Sequence, residues 1–155
     1  MAEKMKDNPK CEQWHSLIGE WTSESEFRRG PTAAWEKSTG RYQIQWILDG
    51  SFLQVQGQAS GGPSFVKIVG YDARLATHVG STFQSSGYRS IASSGSWSGT
   101  SWSDNWQAFL PDGKVVPGRC NYEYNLDFTS FMGECQVFTD GEWWTLSKTK
   151  DTKRE

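Results

Sequence analysis

The sequence has little of several residue types that mark common protein classes. Only three cysteines and two histidines occur among 155 residues, with no Cys-x-x-Cys motif or histidine cluster, so no metal site is expected. Apolar runs are only a few residues long, far short of the ~20 residues that span a membrane as a helix. Sixteen basic and 18 acidic residues leave a formal net charge of -2, which argues against nucleic-acid binding.

The N-terminus and the cysteines bear on the compartment. No apolar stretch follows the first lysines, so no secretory signal is predicted and a cytoplasmic location is expected. Cys120 and Cys135 could face each other if the chain turns back near residues 127–128, which makes a disulfide conceivable. The odd number of cysteines and the missing signal instead favour reduced, buried thiols.

Large aromatic residues are abundant where aliphatic residues are scarce. Nine Trp, eight Phe and five Tyr make up 14% of a chain that is only 35% hydrophobic. Aromatic residues favour strands, and a length near 150 suits a single core. The composition therefore predicts one all-β domain with an aromatic core.

Hydrophobic periodicity separates one short helix from a long series of strands. Trp14, Leu17 and Ile18 have helical spacing, with Pro9 suited to the start of the helix and Gly19 to its end. After Gly19 the apolar residues alternate in short segments bounded by turn sequences, which gives about eight to ten strands.

Such a pattern is typical of an up-and-down antiparallel barrel or a sandwich. The single N-terminal helix favours a barrel that is plugged at one end. Residues 1–8 are predicted to be flexible and residues 9–150 to form one domain. The charged residues from Lys150 onward, including the tail 151–155, are expected to fray.

Four short motifs, in this order and spacing, resemble a known family. They are Leu17-Ile18-Gly19-Glu20-Trp21, the run 46–53, Gly70-Tyr71-Asp72 and Asp140-Gly141-Glu142-Trp143. Together they resemble the lipocalin-like proteins of domain-of-unknown-function family 1579, over about residues 12–150. The resemblance implies a calycin-like barrel with an interior cavity, and it implies no established activity.

The resemblance also bears on Trp21 and on cofactors. In true lipocalins the tryptophan of Gly-x-Trp packs across the closed end of the barrel, often under a basic side chain, for which Lys148 or Lys150 is the candidate here. Similar barrels of the nitrobindin type bind haem through a C-terminal histidine. No histidine follows His78, so neither haem nor any other cofactor is expected.

Binding of a small, largely apolar or aromatic ligand inside the barrel, without catalysis, is the favoured function. A barrel of this size can hold one small ligand, and buried Trp and Tyr carry polar atoms that need partners. The opposite hypothesis is that the rings simply fill the interior. Candidate ligand-binding residues are Phe27, Tyr42, Trp46, Trp102, Trp106, Arg119, Tyr122 and Tyr124.

Two other functions stay open. The first is an isomerase-like or cyclase-like enzyme with Glu123, Glu134 or Asp104 as a buried base, although no catalytic motif is present. The two histidines are not favoured as catalytic groups, because His15 is expected to be partly exposed and His78 to lie on the surface or in a loop. The second is carbohydrate binding through exposed tryptophans. The tryptophan candidates for sugar binding are Trp97, Trp102 and Trp106.

A homodimer is also possible.

Overall fold

The computed structural model describes residues 3–155 as ten strands preceded by short helical segments. Two 3-10 turns, Met5–Asp7 and Pro9–Cys11, lead into helix α1, Gln13–Leu17, and another 3-10 turn spans Leu48–Gly50. The strands are β1 Gly19–Phe27, β2 Glu36–Ile47, β3 Phe52–Ala59, β4 Ser64–Asp72, β5 Thr77–Gln84, β6 Arg89–Ser98, β7 Ser101–Phe109, β8 Val115–Tyr124, β9 Ser130–Thr139 and β10 Glu142–Lys153.

The strands form a closed antiparallel barrel. Each strand pairs with the next one along the chain, and β1 pairs with β10 to complete the circle. Successive side chains point alternately into the barrel and out of it, as the period of two in the sequence requires. The predicted up-and-down barrel with a short N-terminal helix is confirmed.

Helix α1 covers one end of the barrel, called here the closed end. The Trp14 ring lies 5.3 Å from that of Trp97 and 5.0 Å from that of Trp102, and Trp21 Nε1 donates a hydrogen bond to the Leu17 carbonyl at 2.8 Å. The core lies under this helix. Its buried members are Met5, Cys11, Trp14, Leu17, Trp21, Ile44, Leu53, Val69, Trp102 and Phe131, of which Met5 comes from the segment predicted to be flexible.

The basic side chain at the closed end comes from a different lysine than predicted. Lys153 is paired with Trp21 in the β1–β10 ladder, and its Nζ donates to the Ser16 carbonyl at 3.0 Å. Lys148 and Lys150 are two positions apart on β10, so they share one face of the strand. That face is the outer face of the barrel.

The expectation that the chain frays from Lys150 is wrong. Strand β10 continues to Lys153, and the Asp151 side chain is only 5% exposed. The outer face of β1 is acidic and that of β10 is basic, so unlike charges stand opposite each other where the barrel closes. The facing pairs are Glu24 with Lys150 and Glu26 with Lys148, and an ion pair at 3.0 Å joins Arg154 to Glu20.

The prediction of reduced thiols is wrong for two of the three cysteines. Cys120 and Cys135 are direct partners in the β8–β9 ladder, with Cα atoms 4.1 Å apart, and their sulfurs form a disulfide. The register places both side chains on the inner face of the barrel. Cys11 is a free, fully buried thiol, and burial raises its pKa to about 11.

Candidate functional site

The interior is packed at the closed end and hollow in the other half, called here the open half. One cavity of about 320 Å³ lies beside Asp151 and is called the Asp151 lobe. A second of about 270 Å³ lies beside Asp104 and is called the Asp104 lobe. The two lobes share part of their walls, namely Tyr122, Cys135 and Ser147.

Asp151 is held in the first lobe by hydroxyl groups. Its carboxylate accepts hydrogen bonds from Tyr42 Oη at 2.6 Å, from Ser23 Oγ at 2.7 Å and from Thr149 Oγ1. Desolvation by burial raises the pKa of Asp151, and burial followed by the nearby Asp151 charge raises the pKa of Tyr42. The result is a fixed acceptor surrounded by neutral donors.

Asp104 is held in the second lobe by a cation. It is 4% exposed, and its Oδ2 lies 3.5 Å from Lys67 Nζ and 3.3 Å from Trp102 Nε1. Its other oxygen, Oδ1, is buried and has no hydrogen-bond partner among residues 3–155. The rest of this lobe mixes hydroxyls, an amide and rings, contributed by Thr82, Gln84, Tyr88, Ser90 and Trp106.

Two glycines keep the open half hollow. A Cβ atom at Gly133 would collide with the Tyr122 ring, and one at Gly118 would collide with the Trp106 ring. Each ring therefore lies against the barrel wall over a glycine. The same rings contact the disulfide, with Trp106 Nε1 3.2 Å from Cys120 Sγ and Tyr122 Oη 3.2 Å from Cys135 Sγ.

Three of the eight predicted ligand residues line the lobes: Tyr42, Trp106 and Tyr122. Trp102 and Tyr124 are packed into the closed half, where the Tyr124 ring lies 4.6 Å from that of Phe131. Trp46 also packs against that core, beside the ring of His15 at 5.2 Å.

The structure does not bring the other two predicted residues into either lobe. Phe27 ends β1, where the Arg29 guanidinium lies 5.7 Å from its ring. Arg119 donates to Gln136 Oε1 at 2.8 Å and lies 4.2 Å over the Trp143 ring. It stands between the inward-facing Cys120 and Gly118, so the alternation of the strand turns it outward.

Only one of the three candidate bases reaches the cavity. Glu123 is exposed and accepts hydrogen bonds from Ser101 and Thr100, which lower its pKa. Glu134 stands between the inward-facing Gly133 and Cys135, and it accepts from the Gln136 and Thr145 side chains. Asp104 alone lies inside the barrel.

His78 is not on the surface or in a loop, as the sequence suggested. It is 4% exposed in β5, with Nδ1 3.3 Å from the Gly95 carbonyl and Nε2 3.5 Å from Cys11 Sγ. Burial lowers its pKa to about 4, so the ring is neutral near pH 7. His15 is exposed, as expected.

The tryptophans considered for sugar binding are not exposed platforms. Trp102 is 4% exposed, and Trp97 packs on it at 5.1 Å with its indole N–H buried. Trp106 faces the Asp104 lobe. Stacking on an exposed row of these three rings is therefore ruled out by their burial.

Two residues at the centres of the lobes, Lys67 and Asp151, were not predicted from the sequence. Lys67 shares a face of β4 with Phe65 and Val69, but the other face is also apolar, so the alternation did not assign this charged side chain to the interior. Asp151 gave no signal either, because it stands in a charged segment that resembles a disordered tail.

Within the described residues, no group of three or more His, Cys, Asp or Glu side chains is placed to hold a metal ion. None of the helices in residues 3–155 has the length and apolar character needed to cross a membrane.

Comparisons with known proteins agree with this architecture. The crystal structure of Rv2717c from M. tuberculosis is similar in fold, with a TM-score of 0.69 over 96% of this chain and 99% of that chain, at 14% identity. No curated protein matches the chain. The model of a family described as a protein of unknown function, DUF1579, matches residues 8–150, so the chain belongs to the DUF1579 family.

Proposed function

We propose that this protein binds one small ligand with a largely apolar or aromatic ring body in the open half of the barrel, without catalysis. The observation that carries the proposal is the contrast between a filled closed half and the two adjoining lobes. The lobes are the size of small-molecule sites, and they combine rings with a few fixed polar groups, as such sites do.

The walls set limits on the ligand. Phe65 and Phe131 line the Asp151 lobe, Trp106 lines the Asp104 lobe and Tyr122 lines both, so a flat ring system finds apolar contact in either. The buried polar groups would orient such a ring.

A cavity-filling variant tests the proposal. Ser147 contributes to the walls of both lobes, and its neighbour Lys148 is exposed on β10. N-phenyl-1-naphthylamine, a neutral dye that brightens in apolar surroundings, is titrated into wild type, Ser147→Phe and the matched control Lys148→Phe. Saturable 1:1 binding that is lost in Ser147→Phe and kept in Lys148→Phe is the expected result.

A second variant guards against misfolding. Ser25→Leu fills the Asp151 lobe from β1, and near-ultraviolet circular dichroism checks the packing of every variant. Binding that is absent in wild type, or unchanged in both folded cavity-filling variants, would overturn the proposal.

Catalysis in the same cavity is the second candidate, and it is favoured by one observation. Asp104 is a buried carboxylate among the residues that line the cavity, and a carboxylate in such a place can act as a general base. Any isomerase or cyclase activity detected in the wild type should be abolished in Asp104→Asn and retained in Glu134→Gln, whose side chain is outside the barrel.

A further inference from the structure

The two lobes differ in how the charges of their carboxylates are balanced. Asp104 lies 3.5 Å from the Lys67 ammonium group, so its charge is paired inside the barrel. Asp151 is only 5% exposed, and within residues 3–155 no lysine or arginine lies within ion-pair distance of it. The Asp151 lobe therefore holds a buried carboxylate without a cation.

The hydroxyl groups around Asp151 hold the carboxylate in place but do not cancel its charge. Buried charges in proteins are normally paired, because taking a lone charge out of water is costly. Desolvation raises the pKa of Asp151, which reflects this cost. A cation that enters the lobe supplies the missing opposite charge and recovers part of the cost.

The charge of Asp151 acts on the whole lobe. A cavity of about 320 Å³ is roughly 8 Å across, so a cation anywhere in it lies within the range over which buried charges interact. A ligand therefore does not need to touch the carboxylate oxygens. Arg41 also borders the lobe, but it alternates with the inward-facing Tyr42, and its exposed side chain turns to the outer face.

Neutral groups on the wall of this lobe also suit a ligand that carries an ammonium group. Ser25 and Thr149 are half-buried, and each donates its hydroxyl hydrogen to another protein group, so its oxygen is left to accept from a ligand N–H. The faces of aromatic rings attract cations. The rings that line the lobe belong to Tyr42, Phe65, Tyr122 and Phe131.

We infer that the Asp151 lobe recognises the ammonium group of a protonated amine whose body is an apolar ring system. The ammonium group compensates the charge of Asp151 and lies among the hydroxyls and the rings. A neutral compound lacks this compensation, and an anion is repelled by the same carboxylate. This inference rests on the proposed function and names the chemical class of its ligand.

Three probes with the same rings and different charges test it by isothermal titration calorimetry. At pH 7, 2-naphthylmethylamine is a cation, 2-naphthalenemethanol is neutral and 2-naphthoate is an anion. We expect the amine to bind at least about 10-fold more tightly than the alcohol, because only the amine compensates the buried charge. The anion should bind most weakly.

A charge-removing variant assigns that preference to Asp151. Asp151→Asn keeps the size of the side chain, since its amide oxygen can accept from Ser23 and Thr149 and its NH₂ group can donate to Tyr42 Oη. This variant should bring the ratio of the amine and alcohol affinities close to one. The matched control Glu24→Gln removes one negative charge from the outer face of β1 and should leave the ratio unchanged.

A second variant tests the rings. Phe65→Leu keeps the wall apolar but removes an aromatic face, so it should weaken the amine a few-fold relative to the alcohol. Near-ultraviolet circular dichroism and binding of the alcohol show that the cavity is intact in each variant.

The outcomes separate this inference from the proposed function. Equal affinity of wild type for the amine and the alcohol overturns the inference, and this comparison needs no variant. An unchanged ratio in folded Asp151→Asn protein, or the same fall of the ratio in Glu24→Gln, also overturns it. If the alcohol still binds in these samples, the proposed function stands. If neither the alcohol nor the naphthylamine dye binds, both fall.

Discussion

The two halves of the barrel share the same strands but differ in the size of their inward side chains. Along β1 the inward positions change from Trp21 at the closed end to Ser23 and Ser25 in the open half. Along β9 they change from Phe131 to Gly133. A barrel of constant strand number can therefore be solid at one end and hollow at the other, because side-chain volume alone decides the space.

The variant with the largest expected effect on stability removes a tryptophan ring from the closed half of the barrel. Trp21 is fully buried, and Trp21→Ala should lower the free energy of unfolding by about 3–5 kcal/mol through lost burial and the cavity it leaves. The matched truncation in the hollow half, Ser25→Ala, should change it by less than about 0.5 kcal/mol. Urea unfolding measures both. Similar losses in the two variants would show that the halves do not differ in packing.

The open half is less densely packed, and the Cys120–Cys135 disulfide lies in its wall. Because Cys120 and Cys135 are 15 positions apart, closing that loop should stabilise the fold by about 3 kcal/mol. Adding a phosphine reductant should lower the urea midpoint of the wild type by a corresponding amount. The double variant Cys120→Ala/Cys135→Ala should not respond to the reductant. If the urea midpoint of the wild type also stays unchanged, the disulfide does not contribute to the stability of the open half.

A smaller effect is expected in the closed half, where the stability of the fold should depend on pH through the buried His78. The pKa of His78 is about 4 in the folded protein and about 6.5 in the unfolded chain, so between these values the unfolded chain binds more protons. Stability should therefore fall as the pH drops, by about 2 kcal/mol from pH 7 to pH 5.

The variant His78→Gln isolates this dependence. The raised pKa of Asp151 acts in the opposite direction, but it is common to both proteins and cancels in their difference. The difference in unfolding free energy between wild type and variant should shrink towards pH 5. A difference independent of pH would mean that His78 has the same pKa in the folded protein as in the unfolded chain.

Much of the fold could be predicted because strands in this chain obey the period of two. The inward placement of Tyr42, Trp106 and Tyr122 follows from that alternation alone. The same rule could have excluded Arg119, which stands between two inward positions of β8. Local periodicity assigns a face, but it does not say how far along the barrel a residue lies.

The centres of the two lobes could not be predicted in this way. Asp151 meets Tyr42 across 109 positions, and Lys67 meets Asp104 across 37, so both contacts depend on the register of the whole barrel. The Cys120–Cys135 disulfide depended on the register of one hairpin, and only its oxidation state was predicted wrongly.

The pairing of β1 with β10 has a consequence for biosynthesis. The first strand leaves the ribosome long before its partner, so any chain arrested ahead of β10 carries two unpaired edges, one on β1 and one on β9. Strand β1 carries Glu20, Glu24 and Glu26 on its outward face, and like charges repel between two copies of that edge. The acidic row that later attracts the lysines of β10 thus also disfavours pairing between nascent chains on the same messenger RNA.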